Sequence, residues 1–130
     1  MLYALLCYND EDMVYSWTPE EDAAVMGKIR VVQEKLIREG KLGPSLRLLP
    51  TTSATSVRKT NGEPLVIDGP YAETKEQLLG FYIIDVENLE EALAITRDLG
   101  EANPTSNYEI RPVGLYCADE RQIAGATASA

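Results

Sequence analysis

Residues 2–8, Leu-Tyr-Ala-Leu-Leu-Cys-Tyr, form a short apolar run that stops at the polar cluster Asn9-Asp10-Glu11-Asp12. A run of this length with such a boundary predicts a buried strand. The period changes after Thr18. Val25, Ile29, Val32 and Leu36 recur at spacings of four, three and four, which puts them on one face of a helix over 19–39. Its ends are marked as well. Thr18-x-x-Glu21 is a capping box, Pro19 takes the first helical position, and Glu20, Glu21 and Asp22 complement the helix dipole. Lys35 and Arg38 occupy the last turn and Gly40 supplies the stop.

After Lys41-Leu42-Gly43-Pro44 a second strand is expected over 45–49. Residues 50–57 are rich in Thr and Ser and read as a connection. Thr55 to Lys59 alternates weakly, Asn61-Gly62 signals a hairpin, and Pro64 to Ile67 returns, so a small β-ribbon is expected. Asp68-Gly69-Pro70 is a turn. Gly80 to Val86 is a third strong strand. Asn88-x-x-Glu91 caps a second helix, whose stripe is Leu89, Ala92, Leu93, Thr96 and Leu99 and whose end is expected at Gly100. A last strand covers 107–117, where Pro112 implies an edge or a bulge.

The order is that of an α+β protein: a ferredoxin-like βαββαβ antiparallel sheet with an inserted β-ribbon. One domain over 1–117 is expected, with a flexible C-terminal tail over 118–130 ending Ala-Gly-Ala-Thr-Ala-Ser-Ala. Both faces of the sheet are apolar. Strand 2–8 puts Leu2, Ala4 and Leu6 on one side and Tyr3, Leu5 and Cys7 on the other, and Phe81 and Ile83 alternate with Tyr82, Ile84 and Val86. Two helices cover only one face, and a half-exposed sheet should alternate apolar and polar. The second face is therefore expected to meet a second copy, sheet against sheet, as a homodimer. The competing reading folds the ribbon or the tail over it.

Composition narrows the function. The chain has 130 residues, 21 Asp+Glu against 12 Lys+Arg, a net charge of −9 and no histidine. Its pI is near 4.5. Without histidine there is no Ser-His-Asp or Cys-His machinery and no His-ligated metal. The acidic balance argues against nucleic acid and against anionic membranes. No stretch approaches a membrane span and no basic leader opens the chain, so a cytoplasmic location is expected. The two cysteines, Cys7 and Cys117, then read as reduced core thiols. The antiparallel topology separates them by roughly 20 Å, too far for a disulfide.

The densest polar cluster is Asp68, Tyr71, Glu73, Thr74, Lys75 and Glu76. Asp68 is a candidate general base if burial raises its pKa, and Lys75 a candidate for stabilising an enolate or carboxylate. Tyr71 and Glu73 complete the cluster as ligand-binding candidates. The simpler reading is ordinary turn chemistry, with the Asp side chain capping backbone N–H groups. Arg58 and Arg111 are candidate carboxylate binders, although Glu109 on the same side of the strand makes a structural pair with Arg111 equally reasonable. Tyr3, Tyr8, Tyr82 and Tyr116 are candidates to line a pocket between two sheets, or to serve as core and interface. Asp85 needs a partner if it faces inward and is merely wet if it sits at the strand end. No Walker loop, dinucleotide fingerprint, EF-hand or CxxC occurs, so no cofactor and no metal are expected.

The block Asp68-Gly69-Pro70-Tyr71-Ala72-Glu73-Thr74-Lys75-Glu76-Gln77, followed by Gly80-Phe81-Tyr82-Ile83-Ile84-Asp85-Val86, resembles the signature of the DGPF family within the YCII-related group. Ala54 to Arg58 and Glu109 to Val113 add to the likeness, and Tyr71 stands where the namesake motif has phenylalanine. The resemblance implies a dimeric α/β barrel. It implies little about activity, and a regulatory link to sigma factors only by association. In other YCII-like proteins the candidate active site is a His-Asp pair; here only Asp68 has a counterpart. The expected function is a small homodimer with an intersubunit or sheet-face pocket for a small organic ligand, with cofactor-free acid–base chemistry as an option. The alternative is a non-enzymatic accessory protein.

Overall fold

The computed structural model describes residues 1–118; of the expected tail, only Ala118 lies within them. The first apolar run is strand β1, Leu2–Asn9, and it takes the central place in the sheet. The polar residues after it do more than end a strand. The Asp10 side chain accepts from the Asp12 backbone N–H and caps a four-residue helix α1, Glu11–Val14, whose Val14 is buried. No helix was expected there, because a single turn is too short to show a period. Helix α2, Pro19–Arg38, carries the expected capping box at Thr18 and Glu21, and its Ile29 and Leu36 face the core.

Strand β2, Leu42–Arg47, starts earlier than expected and absorbs Gly43-Pro44 as an irregularity between Leu42 and Ser45. A 3-10 turn at Thr51–Ser53 leads into the ribbon, β3 (Thr55–Arg58) paired with β4 (Leu65–Asp68). Strand β5 runs from Gln77 to Asp85, three residues longer at its start than expected. Helix α3, Leu89–Ala102, does not stop at Gly100. A glycine in a helix costs about 1 kcal/mol relative to alanine; burying Leu99 and Ala102 on either side outweighs that. Strand β6, Asn107–Pro112, ends at the proline rather than reaching 117, since proline has no N–H for the ladder.

The sheet order is β2-β5-β1-β6, antiparallel throughout. This α+β arrangement is consistent with a ferredoxin-like fold. Tyr3, Leu5, Ile84 and Val86 pack with Leu36 of α2 and with Ala92, Ile95 and Leu99 of α3 into one core. Both long helices therefore lie on the Tyr3–Leu5–Ile84 face. The opposite face carries Leu2, Ala4, Leu6 and Phe81, all half-buried, and Ile83, buried. No helix among the described residues is long and apolar enough to cross a membrane.

Candidate functional site

Strand register sets four residues in a row across the sheet. Arg47 lies opposite Gly80, Gly80 opposite Cys7, and Cys7 opposite Tyr108. The next row, Ser45-Tyr82-Leu5-Ile110, is bulky at its centre; this one is not. Gly80 has no substitute, because a Cβ there would stand 2.2 Å from the Leu46 carbonyl oxygen. A bulge between Cys7 and Tyr8 loosens the adjacent pairing. With a glycine and a cysteine at its middle, the row leaves space beneath α2. The result is a cavity of about 300 Å³. Val25, Met26, Ile29 and Gln33 of α2 line it from the helix side, and Val14 and Trp17 also line it.

The interior groups that could titrate are held neutral. Burial pushes the Cys7 thiol up from 9.0 to about 12. Burial also raises Tyr82 and Tyr108, with the neighbouring Cys7 adding to both. Gln33 donates from Nε2 to the Tyr82 hydroxyl oxygen at 3.5 Å, which leaves the phenolic proton free to donate elsewhere. The Cys7 thiol faces the Leu5 carbonyl oxygen at 3.7 Å. Asn9, buried at the end of β1, is fully engaged: it donates to Thr105 Oγ1 at 2.9 Å and accepts from the Asp10 N–H at 2.8 Å. Arg47 and Asp22 are the two charged lining residues, and neither side chain has an ion-pair or hydrogen-bond partner among the described residues. The cavity thus offers apolar walls, phenolic donors and one uncommitted guanidinium, and no carboxylate in its interior row.

Of the candidate site residues singled out in the sequence, Tyr8 and Tyr82 line the cavity and the others lie elsewhere. Asp68 and Glu73 come together in a separate open groove with Thr51, Thr74 and Gln77, and Asp68 is exposed. The turn there depends on Gly69 at φ +121°, held by its N–H on the Ala54 carbonyl at 2.7 Å and by Ser56 Oγ on its own carbonyl at 2.8 Å. Arg58 donates to the Tyr71 carbonyl at 2.6 Å and stacks 4.3 Å above the Tyr71 ring, so these two meet each other. Lys75 is exposed and lines neither the groove nor the cavity. Arg111 pairs with Glu109 on β6. Asp85 ends β5, exposed, 3.1 Å from the Met1 ammonium. Of the four tyrosines, Tyr8 and Tyr82 line the cavity, Tyr3 is core and Tyr116 is exposed.

Sequence reasoning missed Arg47, Gly80, Gln33, Trp17 and Tyr108. Two signals were present: a glycine inside an apolar strand, which marks close backbone approach, and an arginine within Ser-Leu-Arg-Leu-Leu. One further link joins the two regions. The Glu11 carboxylate accepts from the Thr51 N–H at 2.8 Å and from Thr51 Oγ1 at 2.7 Å, tying α1 to the connection before the ribbon.

Among the described residues no group of three or more His, Cys, Asp or Glu side chains is placed to hold a metal ion. Compared with known proteins, residues 1–115 match the model of the YCII-related domain. The chain is also 57% identical over 117 residues to an uncharacterized protein of Rhizobium meliloti (strain 1021), spanning 89% of this chain and 94% of that one.

Proposed function

The chain belongs to the YCII-related family, and from that premise we propose that it binds a small, largely apolar organic molecule in the cavity between α2 and the sheet. The observation that carries this reading is the floor row itself, where an irreplaceable glycine beside a cysteine keeps about 300 Å³ open under a helix. Small-molecule sites run from roughly 300 to 1,000 Å³ and combine apolar walls with a few polar groups. Aromatic lining by Tyr8, Trp17, Tyr82 and Tyr108 suits a planar or branched ligand. Binding without turnover is favoured over acid–base chemistry. Cys7, Tyr82 and Tyr108 keep their protons at neutral pH, and Asp68 and Lys75 stand in water outside the cavity.

The test is thermal shift with a panel of small aromatic compounds on wild type, Asp68→Asn and two cavity-filling variants, Val25→Trp and Met26→Trp. Compounds that stabilise wild type should stabilise Asp68→Asn equally and lose their effect when the cavity is filled. Loss in Asp68→Asn, with binding intact in the filled proteins, would move the site to the ribbon groove.

A second reading concerns assembly. We propose a homodimer in which the Leu2–Ala4–Leu6–Phe81–Ile83 face meets its counterpart, because neither long helix packs on that apolar surface. Mass in solution near twice 14.3 kDa supports it, and a monomer removes it. The accessory role, including a sigma-factor partner, becomes the better reading if pull-down yields a stoichiometric protein while no compound stabilises the chain.

A further inference from the structure

The polar groups of the cavity are matched to one kind of ligand end. Arg47 projects from β2 at the end of the floor row, beside the gap left by Gly80. Its guanidinium has no partner among the described residues. An uncommitted arginine beside an apolar cavity presents a fork of N–H donors that fits a carboxylate bidentately. The neighbours point the same way. Tyr82 accepts from Gln33 and so keeps its own proton for a ligand oxygen, and Tyr82 and Tyr108 stay protonated. Asp22, the one acid on the wall, sits in the first turn of α2, where the helix dipole already favours its charge.

We infer that the ligand is a small aromatic or branched monocarboxylate, its carboxylate held by Arg47 at the cavity mouth and its apolar body lying over Gly80 and Cys7. This rests on the cavity-binding reading above and adds the charge of the ligand to it.

The experiment is calorimetric titration of matched probes: 3-phenylpropionate and 2-naphthoate, their alcohols 3-phenylpropan-1-ol and 2-naphthalenemethanol, and 3-phenylpropylamine. Arg47 is exposed, so Arg47→Gln should fold normally. Wild type should bind each carboxylate at least about tenfold more tightly than its alcohol. Arg47→Gln should weaken the carboxylates until that difference is gone, and Arg47→Lys should restore part of it. Rising salt should weaken the carboxylates alone. Equal binding of acid and alcohol to wild type leaves the cavity reading standing and overturns this inference. Tighter binding of the amine overturns it in favour of Asp22 as the anchor. Binding of no probe overturns both.

Discussion

The cavity beneath α2 and the turn that joins the ribbon to β5 are built from opposite materials. Between Asp68 and Glu76 the chain concentrates acids, a tyrosine, a threonine and a lysine, and nearly all of them face water. The cavity draws single residues from positions 7, 33, 47, 82 and 108, and only one of its walls carries an acid. Yet the cavity is where Cys7, Tyr82 and Tyr108 are shielded, and shielding makes a donor strong. A pair of charges that attracts weakly in water attracts several-fold more strongly at the lower effective dielectric of a protein interior. Burial of the groups, rather than their density along the chain, is what separates the cavity from the solvated turn. Each region is anchored by one glycine, for different reasons: at Gly80 a neighbour's backbone leaves no room for a side chain, at Gly69 the positive φ strains any other residue.

That contrast gives the largest expected effect. Gly80→Ala drives a Cβ into the Leu46 carbonyl and must part β2 from β5, at about 3 kcal/mol. Gly69→Ala meets open space and bears only the strain of its positive φ, about 1 kcal/mol. Urea unfolding of both variants measures the difference. Equal losses would mean that the sheet at β2 yields as readily as the ribbon, and the cavity floor would not be rigid.

The next effect is on pH dependence. Burial raises Cys7 in the folded state from 9.0 to about 12. Between those values the native protein keeps a proton that the unfolded chain has lost. The stability tied to this thiol is therefore full below pH 9 and is lost as pH rises toward 12. Burial of Tyr82 and Tyr108 acts in the same direction at higher pH. Urea midpoints at pH 8 and pH 10 should fall in wild type and fall less in Cys7→Ser. In a Cys117→Ser background, Cys7 should resist alkylation at pH 8 until urea unfolds the chain. Rapid alkylation of the native protein would show the cavity to be open to water.

The smallest effect belongs to the ribbon. Arg58→Ala removes an exposed cation–π contact and one hydrogen bond to Tyr71, which together contribute about 1 kcal/mol. Hydrogen exchange should speed up in β3 and β4 while ligand binding in the cavity stays unchanged. A change in binding would couple the two regions, and the Glu11–Thr51 contact is the path to examine.

Most of the scaffold was legible in the chain. The capping pair Thr18–Glu21 and the cap at Asn88 place both long helices within a residue at their starts, because a cap is a local arrangement of neighbouring groups. Their ends were less secure: Gly100 reads as a stop until the burial of Leu99 and Ala102 is known, and burial is not local. The ribbon followed from Asn61-Gly62 and the alternation around it. The site was legible only in fragments. Asp68, Arg58, Tyr71, Glu73, Lys75 and Arg111 stand out because polar residues clustered along a chain draw the eye, and the fold leaves them outside the cavity. Tyr8 and Tyr82 are the two candidates that stand in its lining.

Sequence by itself determined the two long helices, the strands, their order and the two-faced apolar sheet, since period, caps and turns act over a few residues. Tertiary structure alone decided that Arg47, Gly80, Cys7 and Tyr108 share one row. That row depends on the register of four strands far apart in the chain, on a bulge that shifts one pairing, and on the close approach of β2 that only a glycine permits.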